Sequence, residues 1–303
     1  MDRLRIGLIG WGTVGAAVGG LVRTGSLPLT LESVAVRDRR RSDLPKGIEI
    51  GGPEAALEAD VVVELAGGLD GPLTWARLAL DRGKPYVTAN KALLATHGGE
   101  LAELADRRVA ALLGSASVGG GTPMIETVTH LAATGAIERI RGIVNATTTY
   151  ILTAMGEGRS YDDALREAQE AGFAEADPSF DVDGRDAAQK LAILASVAWR
   201  KWRPEIEVET SGIAGLAVAA GQCVRLVAEA TNGAMTVKPV LLEPTDPLAA
   251  AAGIENILEV TVAGAGVFRI SGPGAGGRVT AGAVYADLGR LVAGERPVLF
   301  GTR

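Results

Sequence analysis

Three features of this 303-residue chain predict an α/β fold built on a doubly wound parallel sheet, with a second α+β domain. An apolar strand, Leu4–Ile9, runs directly into Gly10-Trp11-Gly12-Thr13-Val14-Gly15, and a helical pattern opens behind it with Val14, Val18, Leu21 and Val22 on one side. Further short apolar runs alternate with helical stretches as far as Leu113, the spacing of successive βαβ units. Later in the chain a dense acidic cluster leads into a helix, and strand-like segments follow.

Each element follows from local chemistry. Gly10, Gly12 and Gly15 form G-x-G-x-x-G between a strand and a helix N-terminus, the context that makes the pattern a dinucleotide-binding turn of Rossmann type. The first glycine permits the turn, the second admits the pyrophosphate, and the third lets helix and strand pack closely. Helix N–H groups, including those of Thr13 and Val14, face the phosphates. A second strand, Leu31–Arg37, ends about 20 residues later, where the adenosine ribose is read. Two readings compete there: Asp38 binding a 2′-hydroxyl, for NAD, or Arg37 with Arg39–Arg41 behind it binding a 2′-phosphate, for NADP. NADP is favoured because the guanidinium fork matches phosphate and no carboxylate occupies the strand end. Strands Asp60–Leu65 and Tyr86–Ala89 follow, the first ending at Ala66-Gly67-Gly68 and the second at Asn90-Lys91. Ligands of open α/β sheets lie outside the carboxyl ends of strands, which aims Lys91 at the cofactor and substrate. His97 reads as an ordinary structural histidine.

A strand at Ala110–Leu113 precedes the loop Ser115-Ala116-Ser117-Val118-Gly119-Gly120-Gly121-Thr122-Pro123, and Ile140–Tyr150 reads as strand and turn. Helices are expected over Tyr161–Ala171, Ala187–Trp202 and Ala217–Thr231. Between the first two, Glu175, Asp177, Asp181, Asp183 and Asp186 crowd into twelve residues, with Pro178 and Gly184 marking a loop. Asp186 and Lys190 stand four apart on a helix face that continues through Leu194 and Val197. An exposed Asp–Lys pair worth ~0.3–0.5 kcal/mol explains that spacing as well as a functional couple does. Thr236–Leu242, Asn256–Val262 and Val267–Ser271 read as strands, and Gly272-Pro273-Gly274-Ala275-Gly276-Gly277 leads to a last helix near Thr280–Val292.

Composition excludes several classes. Hydrophobic content is 47%, yet no apolar run reaches the ~18 residues of a membrane span. The opening MDRLRIGLIGWG reads as a strand entering a turn and not as a secretory leader. One cysteine, Cys223, cannot make a disulfide framework; it reads as a small apolar residue, which argues against thiohemiacetal chemistry. A net charge of −6 argues against nucleic acid as partner. A soluble, cytoplasmic protein is expected.

Gly172, Glu175, Asp177, Pro178, Asp181, Gly184, Asp186 and Lys190 resemble, in register, the substrate-binding signature of homoserine dehydrogenases. V-T-A-N-K-A-L-L-A around Lys91, I-R-G-I-V-N-A-T-T-T-Y, the loop from Ser115 and the G-P-G-A-G-G tail are similar to further motifs of that family. The resemblance implies NAD(P)-dependent interconversion of L-homoserine and L-aspartate 4-semialdehyde by a homodimer. Its implied domains are residues 1–127 plus about 278–303 for the cofactor, and 128–277 for substrate and dimerisation. It implies Lys190 and Asp186 as catalytic with Lys91 assisting, and Glu175, Asp181, Asp186 and Lys190 on the substrate. Gly67, Gly172 and Gly276 join Gly10, Gly12, Thr13, Val14, Gly15, Arg37 and Lys91 on the cofactor. The family loop carries a glutamate that holds a sodium or potassium ion; Ser115 stands there instead, which leaves the backbone carbonyls of Val118 and Gly120 as ligands. Ala146 and Thr149 also depart from the family's glycine and asparagine. With Arg303 the last residue given, no appended regulatory domain is expected. Two alternatives stay open: another amino-acid dehydrogenase of this fold, acting on aspartate or diaminopimelate, and a non-catalytic NADP-binding redox sensor.

Overall fold

The structure, a computed structural model, describes residues 3–40 and 42–301. Arg41, one of the arginines expected near the adenosine ribose, lies outside the described residues, as does Arg303. Two compact units form, one from Met1–Gly121, Arg200–Trp202 and Gly276–Arg303, the other from Thr122–Trp199 and Arg203–Ala275.

In the first unit, strands β1 (Leu4–Ile9), β2 (Leu29–Ala35), β3 (Glu49–Gly51), β4 (Val61–Glu64), β5 (Tyr86–Thr88) and β6 (Leu112–Leu113) alternate with helices α1 (Thr13–Thr24), α2 (Pro53–Ala56), α3 (Asp70–Asp81) and α4 (Lys91–Arg108). The sheet order is β3-β2-β1-β4-β5-β6, and these strands all pair in parallel. Chain direction across the sheet therefore reverses between β1 and β4, the switch point where ligands of this fold class bind. Strands buried on both faces need continuous apolar runs, and Val61, Val62 and Val63 are essentially inaccessible.

The second unit contains helices α5 (Met124–Thr134), α6 (Ala146–Gly156), α7 (Tyr161–Glu170), α8 (Ser179–Val182) and α9 (Arg185–Ala198). Its strands are β7 (Ile137–Ile143), β8 (Glu209–Thr210), β9 (Val224–Thr231), β10 (Met235–Leu241), β11 (Glu255–Val262) and β12 (Gly266–Pro273), in the order β12-β11-β7-β9-β10-β8. Only β10 and β8 pair parallel. Helix α10 (Gly277–Val292) then returns to the first unit, packs on α1, and places Ala281, Val284, Leu288 and Leu291 in its core.

Several expected elements differ. The alanine-rich stretch 217–231 is not a helix: Gly215 and Gly221 have φ of 73° and 85°, and Val224–Thr231 is a strand between β7 and β10. Pairing on both edges outweighs the helical preference of its alanines. Cys223 precedes that strand and is partly buried, with its thiol 3.9 Å from the Ala249 carbonyl. Strand β2 spans Leu29–Ala35, so Arg37 lies two residues past its end and not within it. Helix α9 begins at Arg185 and stops at Ala198, where Arg200 turns left-handed with φ of 49°, so it does not reach Trp202. Thr147, Thr148 and Thr149 belong to α6 and not to a strand and turn.

Candidate active site

The first unit shapes its site with backbone. Gly10 has φ of 102°, and a Cβ there would sit 2.7 Å from the Leu65 carbonyl carbon and 2.8 Å from the Ala66 nitrogen. Only glycine permits that turn beside the chain leaving β4. A Cβ on Gly15 would stand 2.1 Å from the Gly10 oxygen, so helix and strand meet with no room for a methyl group. Gly12 is the opposite case: nothing lies within 4 Å of its Cβ position. Helix α1 also starts without a side-chain cap. An open backbone surface at an uncapped helix N-terminus suits a pyrophosphate. Gly276, with φ of 130°, caps α10, and the Cβ position of the next residue, Gly277, falls 2.5 Å from the Thr13 methyl. Gly10, Gly12, Thr13, Val14, Gly15 and Gly276 thus meet at one end of the sheet.

Residues 66–68 are held to the start of α4 by a closed hydrogen-bond ring. The fully buried Glu64 carboxylate accepts from Ala66 N (2.7 Å), Gly67 N (2.9 Å) and Thr88 Oγ1 (2.7 Å). Asn90 N donates to Thr88 Oγ1 (2.9 Å), and Asn90 Nδ2 donates to the Gly68 carbonyl (2.7 Å). Asn90 Oδ1 caps α4 by accepting from Leu93 N, which fixes Lys91 as the first helical residue. Burial, and the Glu64 charge after it, push the Tyr86 phenol well above its ordinary pKa. Arg37 is exposed just beyond β2, while Asp38 Oδ1 accepts from Arg40 N at 2.9 Å in a local turn.

The second unit shapes its site with side chains. Asp186 is buried on α9, and Lys190 one turn later donates to its Oδ2 at 2.8 Å and to the Val144 carbonyl at 2.7 Å. The Lys190 side chain is 14% exposed and that of Asp186 7%, which removes the exposed surface pair as an account of their spacing. Asn145, the cap of α6, donates through Nδ2 to Asp181 Oδ1 (2.6 Å) and Asp186 Oδ2 (2.8 Å). Thr147 Oγ1 donates to Asp181 Oδ2 (3.0 Å) and lies 2.8 Å from the Phe173 carbonyl. Phe173 in turn packs on Tyr150, with ring centroids 4.9 Å apart. Gly172 has φ of 77° just past α7. Glu175 is exposed, and among the described residues no hydrogen bond joins its carboxylate to this network. Asp177 accepts from Ser179, which lowers its pKa and orders the entry to α8.

Family models match both regions: one described as homoserine dehydrogenase over residues 123–288, the other as the homoserine dehydrogenase NAD-binding domain over residues 10–113. The chain belongs to the homoserine dehydrogenase family. It is 37% identical to the Corynebacterium glutamicum enzyme, an alignment covering 93% of this chain and 70% of that one. The Bacillus subtilis enzyme is 35% identical, with 95% and 72% covered. Among solved structures, the Thiobacillus denitrificans homoserine dehydrogenase superposes with a TM-score of 0.90 at 32% identity, over 96% of this chain and 74% of that one. A hyperthermophilic archaeal homoserine dehydrogenase in complex with NADPH superposes with a TM-score of 0.88 at 31% identity, over 98% and 99% of the two chains. The protein is accordingly an NAD(P)-dependent oxidoreductase with a Rossmann-type cofactor domain and a small-molecule substrate.

Within the family frame, the loop after β6 stands apart. Ser115 is buried; its Oγ donates to Asp287 Oδ1 (2.6 Å) and its N–H to Asp287 Oδ2 (3.1 Å), from α10. The hydroxyl at the family's glutamate position is therefore committed to a buried carboxylate of its own unit. Among the described residues no group of three or more His, Cys, Asp or Glu side chains is placed to hold a metal. The anionic side chain at this loop is Asp287 from α10, and it is engaged by the Ser115 hydroxyl and N–H.

Three residues of these networks escape a reading of the sequence. Asn145 carries one local signal, an asparagine three residues before Thr148 at a helix start. Glu64 and Asp287 carry none, because their partners are set by strand order and by the return of α10.

Proposed function

We propose that this chain interconverts L-homoserine and L-aspartate 4-semialdehyde, with NADP preferred over NAD, in the aspartate-derived route to threonine and methionine. The observation that carries the reading is the Lys190 ammonium, partly buried and held by Asp186 and the Val144 carbonyl. An ammonium has three protons. Two are committed to those acceptors, and the third is available to the reacting oxygen of the substrate.

Nicotinamide, when bound, supplies the hydride to the substrate's C4 or takes it back. In the reducing direction Lys190 hydrogen-bonds the aldehyde oxygen, stabilises the alkoxide that forms, and delivers the proton. Asp186 pairs with that ammonium and orients it. Asp181 and Glu175 take the ammonium end of the amino acid, Glu175 closing in from its exposed position. Lys91, at the head of α4, assists from the cofactor side. Gly10, Gly12, Thr13, Val14 and Gly15 hold the pyrophosphate, Gly67, Gly172 and Gly276 let backbone approach the cofactor, and Arg37 reads the 2′-phosphate. In a sodium or potassium salt, Val118 and Gly120 offer backbone carbonyls alone.

The same reading makes the protein a cytoplasmic homodimer joined through its second unit. No described helix is long and apolar enough to cross a membrane. Strand β12, at the edge of its sheet, exposes Val267 and Phe268, apolar surface of the kind an edge strand uses for pairing. Following NADPH formation at alkaline pH with homoserine, aspartate and diaminopimelate in turn tests the function. Turnover with homoserine alone is expected; turnover with another of the three in its place, or with none, overturns the reading.

A further inference from the structure

We propose that Asn145 is a positioning residue for the reaction: its carboxamide binds the carboxylates of Asp181 and Asp186 together and so fixes where Lys190 presents its proton. The inference rests on the reading of Lys190 as proton donor.

A carboxamide offers two protons and one acceptor oxygen. In Asn145 all are used while the residue is 4% exposed: Nδ2 serves Asp181 and Asp186, and Oδ1 accepts from Thr148 N (2.8 Å) and Thr148 Oγ1 (2.9 Å). The amide can face only one way, because its oxygen must cap α6 and its nitrogen must meet two acceptors. Asp181 and Asp186 come from different helices, α8 and α9, and like charges side by side repel. The Nδ2 protons replace that repulsion with two hydrogen bonds to charged acceptors, which are stronger than neutral ones. The Asp186 oxygen that takes the Asn145 proton is Oδ2, the same atom that Lys190 touches. One oxygen therefore carries both the amide and the ammonium, and moving the amide moves the ammonium's anchor. The preceding residue, Val144, supplies the second anchor through its carbonyl. Both contacts that aim Lys190 thus trace to the two residues where β7 gives way to α6.

A cap alone would be served equally by aspartate, which ranks with asparagine at helix N-termini. Asn145→Asp keeps the cap and the shape but removes both donors and adds a third carboxylate. We expect kcat to fall by about 10²-fold, the scale of a misplaced reacting group, with NADPH affinity within twofold of wild type and a lowered Tm, because the new carboxylate is buried beside two others. Asn145→Ser also caps α6 but is too short to bridge the carboxylates, and a similar fall is expected should the aspartate variant fold poorly. Thr147→Val loosens Asp181 alone, so KM for homoserine should rise several-fold with kcat near wild type. Wild-type kcat in Asn145→Asp, or in well-folded Asn145→Ser, overturns the proposal, as does a kcat loss in Thr147→Val equal to that of the Asn145 variants. Lys190→Ala separates the two levels: if it retains full turnover, the proton-donor reading fails; if it is inactive while Asn145→Asp turns over normally, only the positioning role fails.

Discussion

Around Gly10–Gly15 the first unit works by removing side chains, while around Asn145 the second works by interlocking them. The glycine turn needs bare backbone because Gly15 touches the Gly10 carbonyl and Gly12 faces open space. The acidic site links Asp181, Asp186, Asn145, Thr147 and Lys190 through hydrogen bonds, gathered from three helices and their caps between residues 145 and 190. A binding surface made of peptide N–H groups tolerates change wherever side chains point away from it. A network of partly buried charges is sensitive to change at its charged members, since removing one leaves another charged and unpaired.

The largest expected effect lies on the side-chain half. Lys190→Ala should lower turnover by roughly 10²–10⁴-fold, the range for losing a positioned proton donor, with NADP affinity near wild type. Asp186→Ala should impair turnover as well, because the partly buried ammonium then loses its counter-charge. Steady-state rates set against cofactor titrations decide this, and wild-type turnover in Lys190→Ala would end the mechanism proposed here.

Next comes the backbone half. Gly12→Val meets no protein atom at its Cβ and has an ordinary backbone angle, so folding should survive while the phosphates are blocked. We expect cofactor affinity to drop by on the order of 10²-fold, about 2.7 kcal/mol, with Tm unchanged. Gly15→Val should instead lower Tm sharply or prevent folding, given the 2.1 Å approach to the Gly10 oxygen. Equal behaviour of the two variants in thermal melts would erase the distinction between an open glycine and a packed one.

Arg37→Ala should weaken NADP selectively, by about 1.5–3 kcal/mol if a charge-assisted bond to the 2′-phosphate is lost. Equal losses for NADP and NAD in isothermal titration would show that this exposed arginine does not discriminate. The smallest effect is expected from salts. With Ser115 tied to Asp287, exchanging sodium or potassium for a large organic cation at constant ionic strength should change kcat less than about twofold, a barrier difference under ~0.4 kcal/mol. Saturable activation by either ion would contradict this.

The two halves also differ in how far the sequence discloses them. The glycine turn is legible because each position imposes a backbone demand that one residue type meets, and the strand before it and helix after it are continuous in sequence. Asp186 and Lys190 are legible as a pair because four residues bring them to one helix face. Asn145 is not, since its partners depend on how α6, α8 and α9 pack. The stretch 217–231 misleads for a related reason: its alanines favour a helix, but two neighbouring strands claim its backbone hydrogen bonds. Arg37 is displaced only slightly, because strand ends depend on where the partner strand stops, here Gly51.

Helix α10 has a consequence for synthesis. The unit that begins the chain is finished by residues from Gly276 onward, which bring Ala281, Val284, Leu288 and Leu291 into its core, and by Val298, which bridges to Leu112 at the sheet edge. On the ribosome the second unit therefore has all its residues before the first unit does. Helix α1 lacks its α10 partner until the last residues emerge, and this interval is when the nascent polypeptide is most open to aggregation and most in need of a chaperone.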